Sequence, residues 1–163
     1  MSDRIAKHLN ALPPDAAPAA LRRCCSAEPW VERMLAARPF GDDQQVFATA
    51  ERLWWALDHA DWREAFAQHP RIGEASRGDW ERQEQSGVAT AAAETRQALA
   101  EGNRVYERRF GHVFLVCATG RSADQMLAEL RRRLANPPDQ ELRIAAAEQA
   151  KITRLRLEKL ATP

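Results

Sequence analysis

Hydrophobic residues in this chain recur at three- and four-residue steps, and nine prolines cut the recurrence into segments. A period near 3.6 marks helices that bury one face. Proline bounds such segments, because it has no amide hydrogen and fixes its own φ. Leu12-Pro13-Pro14, Pro18 and Pro29-Trp30 therefore punctuate short N-terminal helices that cover the core. Beyond Gly41, Asp42 and Asp43 are N-cap candidates, and Val46, Ala50, Leu53, Trp54 and Leu57 predict an amphipathic helix over 42–59. Short helices are expected over 61–67 and 79–86. Val88, Ala92, Thr95, Leu99, Gly102 and Tyr106 trace one stripe, which predicts a long central helix over 88–109, with Gly111 placed for a left-handed C-terminal cap. Val113 to Ala118 is apolar on both faces and reads as an extended, fully buried segment. Ser122 with Gln125 forms a capping-box pattern ahead of Leu127, Leu130 and Leu134, and Asn136-Pro137-Pro138 stops that helix. Pro138 can open the last one, which Leu142, Ala145, Gln149, Ile152 and Leu155 carry to about Leu160. With no repeat and no strand-rich region, the expected class is all-α: a single-domain helical bundle over residues 1–163 with a short buried extended segment near 113–118.

Size and charge narrow the partners. A chain of 163 residues that is 45% apolar suits one domain with a real core. Its formal charge of +1 recruits neither nucleic acid nor an anionic membrane. The one dense basic spot, Arg131-Arg132-Arg133, reads as the solvated face of a helix, since consecutive helical positions point in different directions and no aromatics interleave to stack bases. Three cysteines, two of them adjacent, make no disulfide framework, and Met1-Ser2-Asp3-Arg4 opens no apolar leader. The longest apolar run falls far short of a bilayer span. A reduced, cytoplasmic location is the expectation.

The chemistry-bearing residues gather in two tracts. In Gln68-His69-Pro70-Arg71-Ile72-Gly73, the proline pushes His69 out of helical geometry, so His69 leaves a helix and enters a loop held by Pro70 and Gly73. Fifteen residues after His69 stands Glu84-Gln85-Ser86-Gly87. Taken singly, His69 is an ordinary loop residue and Glu84 a solvent-facing helix residue. Arg154, with Glu158 one turn ahead, is an exposed ion-pair partner worth tenths of a kcal/mol. His8, His59 and His112 stand at no metal-ligand spacing, and Cys117 suits a small buried hydrophobe better than a nucleophile. The five tryptophans read as core.

Together these tracts, Asn103-Arg104-Val105-Tyr106 with Phe110-Gly111 and Phe114, and the closing Lys151-Ile152-Thr153-Arg154-Leu155-Arg156-Leu157 resemble the 2-oxo-4-hydroxy-4-carboxy-5-ureidoimidazoline (OHCU) decarboxylases. The likeness runs from about Leu9 to the C-terminus, with the four motifs in order. It implies an all-α fold, commonly a homodimer, that uses no metal or organic cofactor. The implied reaction is loss of CO2 from the hydroxylated, ring-carboxylated product of urate breakdown to give S-allantoin. By motif position, His69 takes the place of the catalytic histidine, Glu84 of its acidic partner and Arg154 of the substrate-binding arginine. Pro70 and Gln85 match binding positions, and the backbone near Val116 matches a segment that touches the ring. Glu81 stands where many members carry serine, which removes a hydroxyl from that position.

The residue types suit such chemistry. A carbon that loses CO2 beside a ring C=N passes its electrons into the ring, so the protein must supply orientation and protons rather than an electron sink. Histidine titrates near neutral pH, a neighbouring carboxylate orients the imidazole and favours its charged form, and arginine offers a planar fork to a carboxylate or ureido group. Two other classes compete. A helical interaction module built around the His69 loop would expose an apolar patch. A metal-dependent hydrolase using His59, Asp61 and His69 is disfavoured by the absence of a His-x-x-x-His pair or comparable ligand spacing.

Overall fold

A computed structural model describes residues 2–73, 79–89 and 91–162. Among these residues the chain is all-α, with ten helices and no strand. The chain divides into two compact units, one of residues 1–65 with 150–163 and the other of residues 66–149.

In the first unit, α1 (Arg4–Ala11), α2 (Ala17–Cys24) and α3 (Glu28–Ala37) are the short, proline-punctuated helices, with Pro18 and Pro29 in the first turns of α2 and α3. Helix α4 spans Asp43–Trp55, and the Asp42 carboxylate accepts from the Gln45 amide as its N-cap. The expected 42–59 helix stops short because Asp58 begins another: its Oδ1 accepts from the Asp61 amide at 3.0 Å, and α5 runs His59–Ala67. Trp30, Trp54 and Trp62 are buried, and the indole N–H groups of Trp30 and Trp62 donate to the carbonyls of Ala50 and Trp54. Trp55 departs from the core expectation: it is 40% exposed and meets Trp62 edge-on.

In the second unit, α6 (Asp79–Glu84) and α7 (Ser86–Ala89) precede α8 (Ala93–Phe110). The single helix expected over 88–109 is therefore two. Ala92 is extended (φ −59°, ψ 147°), and alanines carry no cap or breaker by which periodicity could reveal the break. Gly111 closes α8 at φ 78°. Segment 113–118 has no regular structure. Phe114, Leu115, Val116 and Ala118 are buried, whereas Val113 and Cys117 are only partly so, because the segment borders on solvent at both points. Helix α9 (Ala123–Arg133) carries the full capping box between Ser122 and Gln125, and α10 (Pro138–Leu160) starts on its proline. Ile72, Val88, Leu99, Tyr106, Phe114, Val116, Met126 and Leu130 belong to one hydrophobic cluster. A Cβ on Gly102 would stand 2.4 Å from Leu130 Cδ2, so glycine lets α8 lie close on α9.

Beneath that cluster lies a buried polar network that contradicts the solvated reading of the arginine run. Arg131 and Arg132 are exposed, but Arg133 is 2% exposed. Its Nε and Nη2 donate to Glu141 Oε2, its Nη1 donates to the Leu115 carbonyl at 2.7 Å, and the Tyr106 hydroxyl donates to the same carboxylate. Asn136 serves the other oxygen, at 3.1 Å. Burial pushes the Tyr106 phenol well above its ordinary ionisation range. The network fixes the Leu115 carbonyl, and with it the backbone on either side.

Candidate active site

In the described part of the loop after α5, residues 69, 71, 72 and 73 are each held by a hydrogen bond. The His69 amide donates to the Phe66 carbonyl at 3.1 Å, the last turn of α5 before Pro70 ends helical geometry. The half-buried His69 ring meets Gln149 of α10, with Nε2 to Oε1 at 2.6 Å. Arg71 Nε donates to both oxygens of Glu107, at 3.0 and 2.9 Å. Asn103, 2% exposed, donates from Nδ2 to the Ile72 carbonyl at 2.9 Å, and Gln85 Oε1 accepts from the Gly73 amide at 3.0 Å. Gly73 has φ 94°, which a side chain would resist. Side chains from α8, α10 and the α6–α7 turn thus restrain residues 69–73, and a segment so restrained can present a catalytic group in one orientation.

The Glu-Gln-Ser-Gly tract meets this loop through Gln85. Glu84 ends α6, half-buried like Glu81 one turn earlier. Gln85, expected to bind substrate, is engaged with Gly73. Gly87 explains the last letter of the motif: a Cβ there would stand 2.4 Å from the Arg121 carbonyl oxygen, so only glycine allows α7 to rest on the Arg121–Ser122 backbone. The 113–118 segment is anchored on both sides of Val116. Val116 is buried between two anchored neighbours, Leu115 held by Arg133 and Cys117, whose amide donates to Glu148 Oε1 at 3.2 Å. Ile72, Val88 and Val116 share one hydrophobic cluster, which ties the three segments together.

Of the residues expected in the site, His69, Pro70, Glu81, Glu84, Gln85 and Val116 belong to the second unit, while Arg154 belongs to the first. Arg154 is exposed and takes the ion-pair geometry its spacing suggests, 3.8 Å from Glu158, with its guanidinium 4.1 Å from the centroid of the Phe47 ring. Arg156 is buried, and its Nη1 donates to the Arg23 carbonyl at 3.2 Å. Burial pushes the Cys24 and Cys25 thiols up to about 12, so both stay protonated at neutral pH and neither is a nucleophile. Among the described residues, no three His, Cys, Asp or Glu side chains gather as a metal site, and no helix is long and apolar enough to cross a membrane.

Sequence reasoning missed Gln149, Glu148, Asn103 and Arg133. Each had a signal. Gln149 interrupts the apolar stripe of α10, and a polar residue on a buried face requires a partner.

Comparison with known proteins bears on this arrangement. The OHCU decarboxylase family model matches residues 10–158. The uric acid degradation bifunctional protein TTL of Arabidopsis thaliana is 37% identical over 146 residues, covering 84% of this chain and 45% of that protein. The 2-oxo-4-hydroxy-4-carboxy-5-ureidoimidazoline decarboxylase of Amia calva is 36% identical over 83 residues, 51% of this chain and 46% of the relative. The chain thus spans about half the length of the curated relatives it matches. A crystal structure of OHCU decarboxylase in the presence of (S)-allantoin superposes with TM-score 0.79 at 37% identity, covering 87% of this chain and 96% of that one. An (S)-allantoin synthase structure, TM-score 0.72 at 17% identity over 95% of this chain and 53% of that one, shares the fold.

Proposed function

The chain belongs to the OHCU decarboxylase family, and on that premise we propose that it converts 2-oxo-4-hydroxy-4-carboxy-5-ureidoimidazoline to S-allantoin in urate breakdown, with His69 as general acid/base and no metal or organic cofactor. The observation that carries this reading is the clamped His69 loop facing the Glu84-Gln85-Ser86-Gly87 turn, the two joined by the hydrogen bond between Gly73 and Gln85. As the carbon–carboxylate bond breaks and CO2 leaves, its electron pair moves into the adjacent C=N, whose nitrogen takes a proton from solvent. The hydroxyl then loses its proton and the ureido-bearing carbon gains one. A histidine that accepts the first proton and returns one to a single ring face yields one enantiomer. Glu84 favours the imidazolium and orients the substrate hydroxyl, while Pro70, Gln85, the Val116 backbone and Glu81 shape the ring pocket. The whole of 1–163 acts as one decarboxylase domain, cytoplasmic and homodimeric.

For the substrate-gripping arginine, motif register assigns Arg154. A second reading is Arg156, favoured by its burial. With Arg154 in the role, Arg154→Lys raises KM about 10- to 100-fold, the worth of a charge-assisted hydrogen bond, and Arg156→Lys does less. The reverse ranking moves the role to Arg156. Steady-state kinetics on the two variants decides.

The first experiment follows circular dichroism as substrate, generated in situ from urate by the two preceding enzymes, meets the protein. Uncatalysed decay gives racemic allantoin, so a dichroic signal that rises faster with the wild type than without protein reports stereospecific decarboxylation. His69→Ala lowers the catalysed rate at least about 100-fold with the fold intact. Absence of acceleration by folded wild-type protein would sink the enzyme reading in favour of a non-catalytic helical interaction module.

A further inference from the structure

We propose that Gln149 is a positioning residue that fixes the tautomer of His69, so that proton transfer takes place at Nδ1. This rests on the His69 assignment above and specifies which atom of the ring works. Gln149 is fully buried on α10, and its Oε1 lies 2.6 Å from His69 Nε2. An amide oxygen can only accept, so Nε2 carries the hydrogen, and in the neutral ring Nδ1 carries the lone pair. The burial of Gln149 biases the choice. The opposite tautomer would set a nitrogen lone pair against the oxygen of a fully buried amide.

The chemistry explains why an amide stands there rather than a carboxylate. Nε2 keeps its hydrogen in both imidazole and imidazolium, so the bond to Gln149 survives while Nδ1 takes up and releases a proton. A carboxylate at 149 would add a charge that favours imidazolium and would hold back the returning proton. A neutral acceptor holds the ring in place and favours imidazolium far less than a carboxylate would. The loop enforces the same geometry from its other end, since the Phe66 carbonyl, Glu107, Asn103 and Gln85 restrain the residues around His69.

The test has two independent arms. In resting protein labelled with nitrogen-15, long-range proton–nitrogen correlation spectra read the His69 tautomer directly. Wild type shows Nε2–H, and Gln149→Met, close in shape but without an acceptor, shows a mixture or the Nδ1–H form. In the dichroism assay, Gln149→Met lowers kcat about 10- to 100-fold, the worth of one strong buried hydrogen bond, with KM changed less than about 3-fold. Gln149→Glu restores the Nε2–H signal and part of kcat. An Nδ1–H signal in wild type, or a Gln149→Met variant with unchanged tautomer and kcat, overturns the proposal. Wild-type protein that gives the expected tautomer but no allantoin instead overturns the decarboxylase reading.

Discussion

Helix α10 buries two polar side chains completely, Glu141 and Gln149, and it uses them in opposite ways. Glu141 is matched by a full charge, a phenol and an amide, all on buried or half-buried side chains. Gln149 carries no charge and reaches a half-buried imidazole on a loop. Burying a carboxylate without a cation costs several kcal/mol, so Glu141 makes sense only as half of a closed network, and its effect is on stability. A neutral amide can tolerate a partner that changes charge. Damage at 141 should therefore appear in unfolding curves, and damage at 149 in turnover.

The strongest attack on that contrast is Arg133→Met. It leaves Glu141 buried beside a phenol and an amide but no cation, and it frees the Leu115 carbonyl. A loss of about 3–5 kcal/mol is expected in urea unfolding monitored by far-UV dichroism. The double variant Arg133→Met/Glu141→Leu recovers much of it, because removing both partners leaves no charge stranded. A single variant costing under about 1 kcal/mol would mean that the network is not the closed unit described, and the division of labour along α10 would fail.

Gly87→Ala sharpens the contrast from the middle, because it touches both stability and site. Its new methyl meets a backbone oxygen, which cannot rotate away as a side chain can. About 1–3 kcal/mol of stability is lost to the forced displacement of α7, and kcat/KM falls by more than that loss explains, since Gln85 and the Gly73 amide move with the turn. Equal activity per folded molecule would show that the turn is packing alone.

Much of this was legible in the letters. Asp42, Gly111, Pro138 and the Ser122–Gln125 box mark helix ends because capping is local and each cap satisfies backbone groups within four residues. His69 leaving a helix was legible for the same reason, through the steric effect of Pro70 on its neighbour. Two kinds of feature escaped. Breaks in helices that lack a strong breaker, at Asp58 and at Ala92, depend on what each half packs against and leave the hydrophobic period almost unbroken. Polar contacts between residues far apart in sequence, such as Arg133 with Leu115 and His69 with Gln149, leave only a polar letter at an apolar position. The Asn103 and Tyr106 of the third motif are of this second kind: one clamps the His69 loop and the other closes the Glu141 network.

Asp43 supplies the smallest effect and the finest test of what a buried carboxylate needs. It is 7% exposed, and in place of a bonded cation it accepts from the Ser2 hydroxyl and the Ala6 amide. Burial alone would raise its pKa, but these hydrogen bonds, with the Ile5 amide, outweigh burial and hold it below the usual carboxylate range. A group whose pKa is lower folded than unfolded binds fewer protons in the native state. Its stabilisation is therefore complete above the unfolded value and is lost as pH falls through the folded one. Asp43→Asn should cost about 1 kcal/mol at pH 7, and its deficit should shrink below about pH 4, where wild type loses the same contribution. Urea midpoints for the pair between pH 7 and pH 3 read this directly. Converging curves show that hydrogen-bond donors, with only the distant charge of Arg4 beside them, can hold a buried carboxylate ionised. A constant gap would mean that Asp43 contributes by shape, leaving charge neutralisation of the Arg133–Glu141 kind as the requirement for burial in this fold.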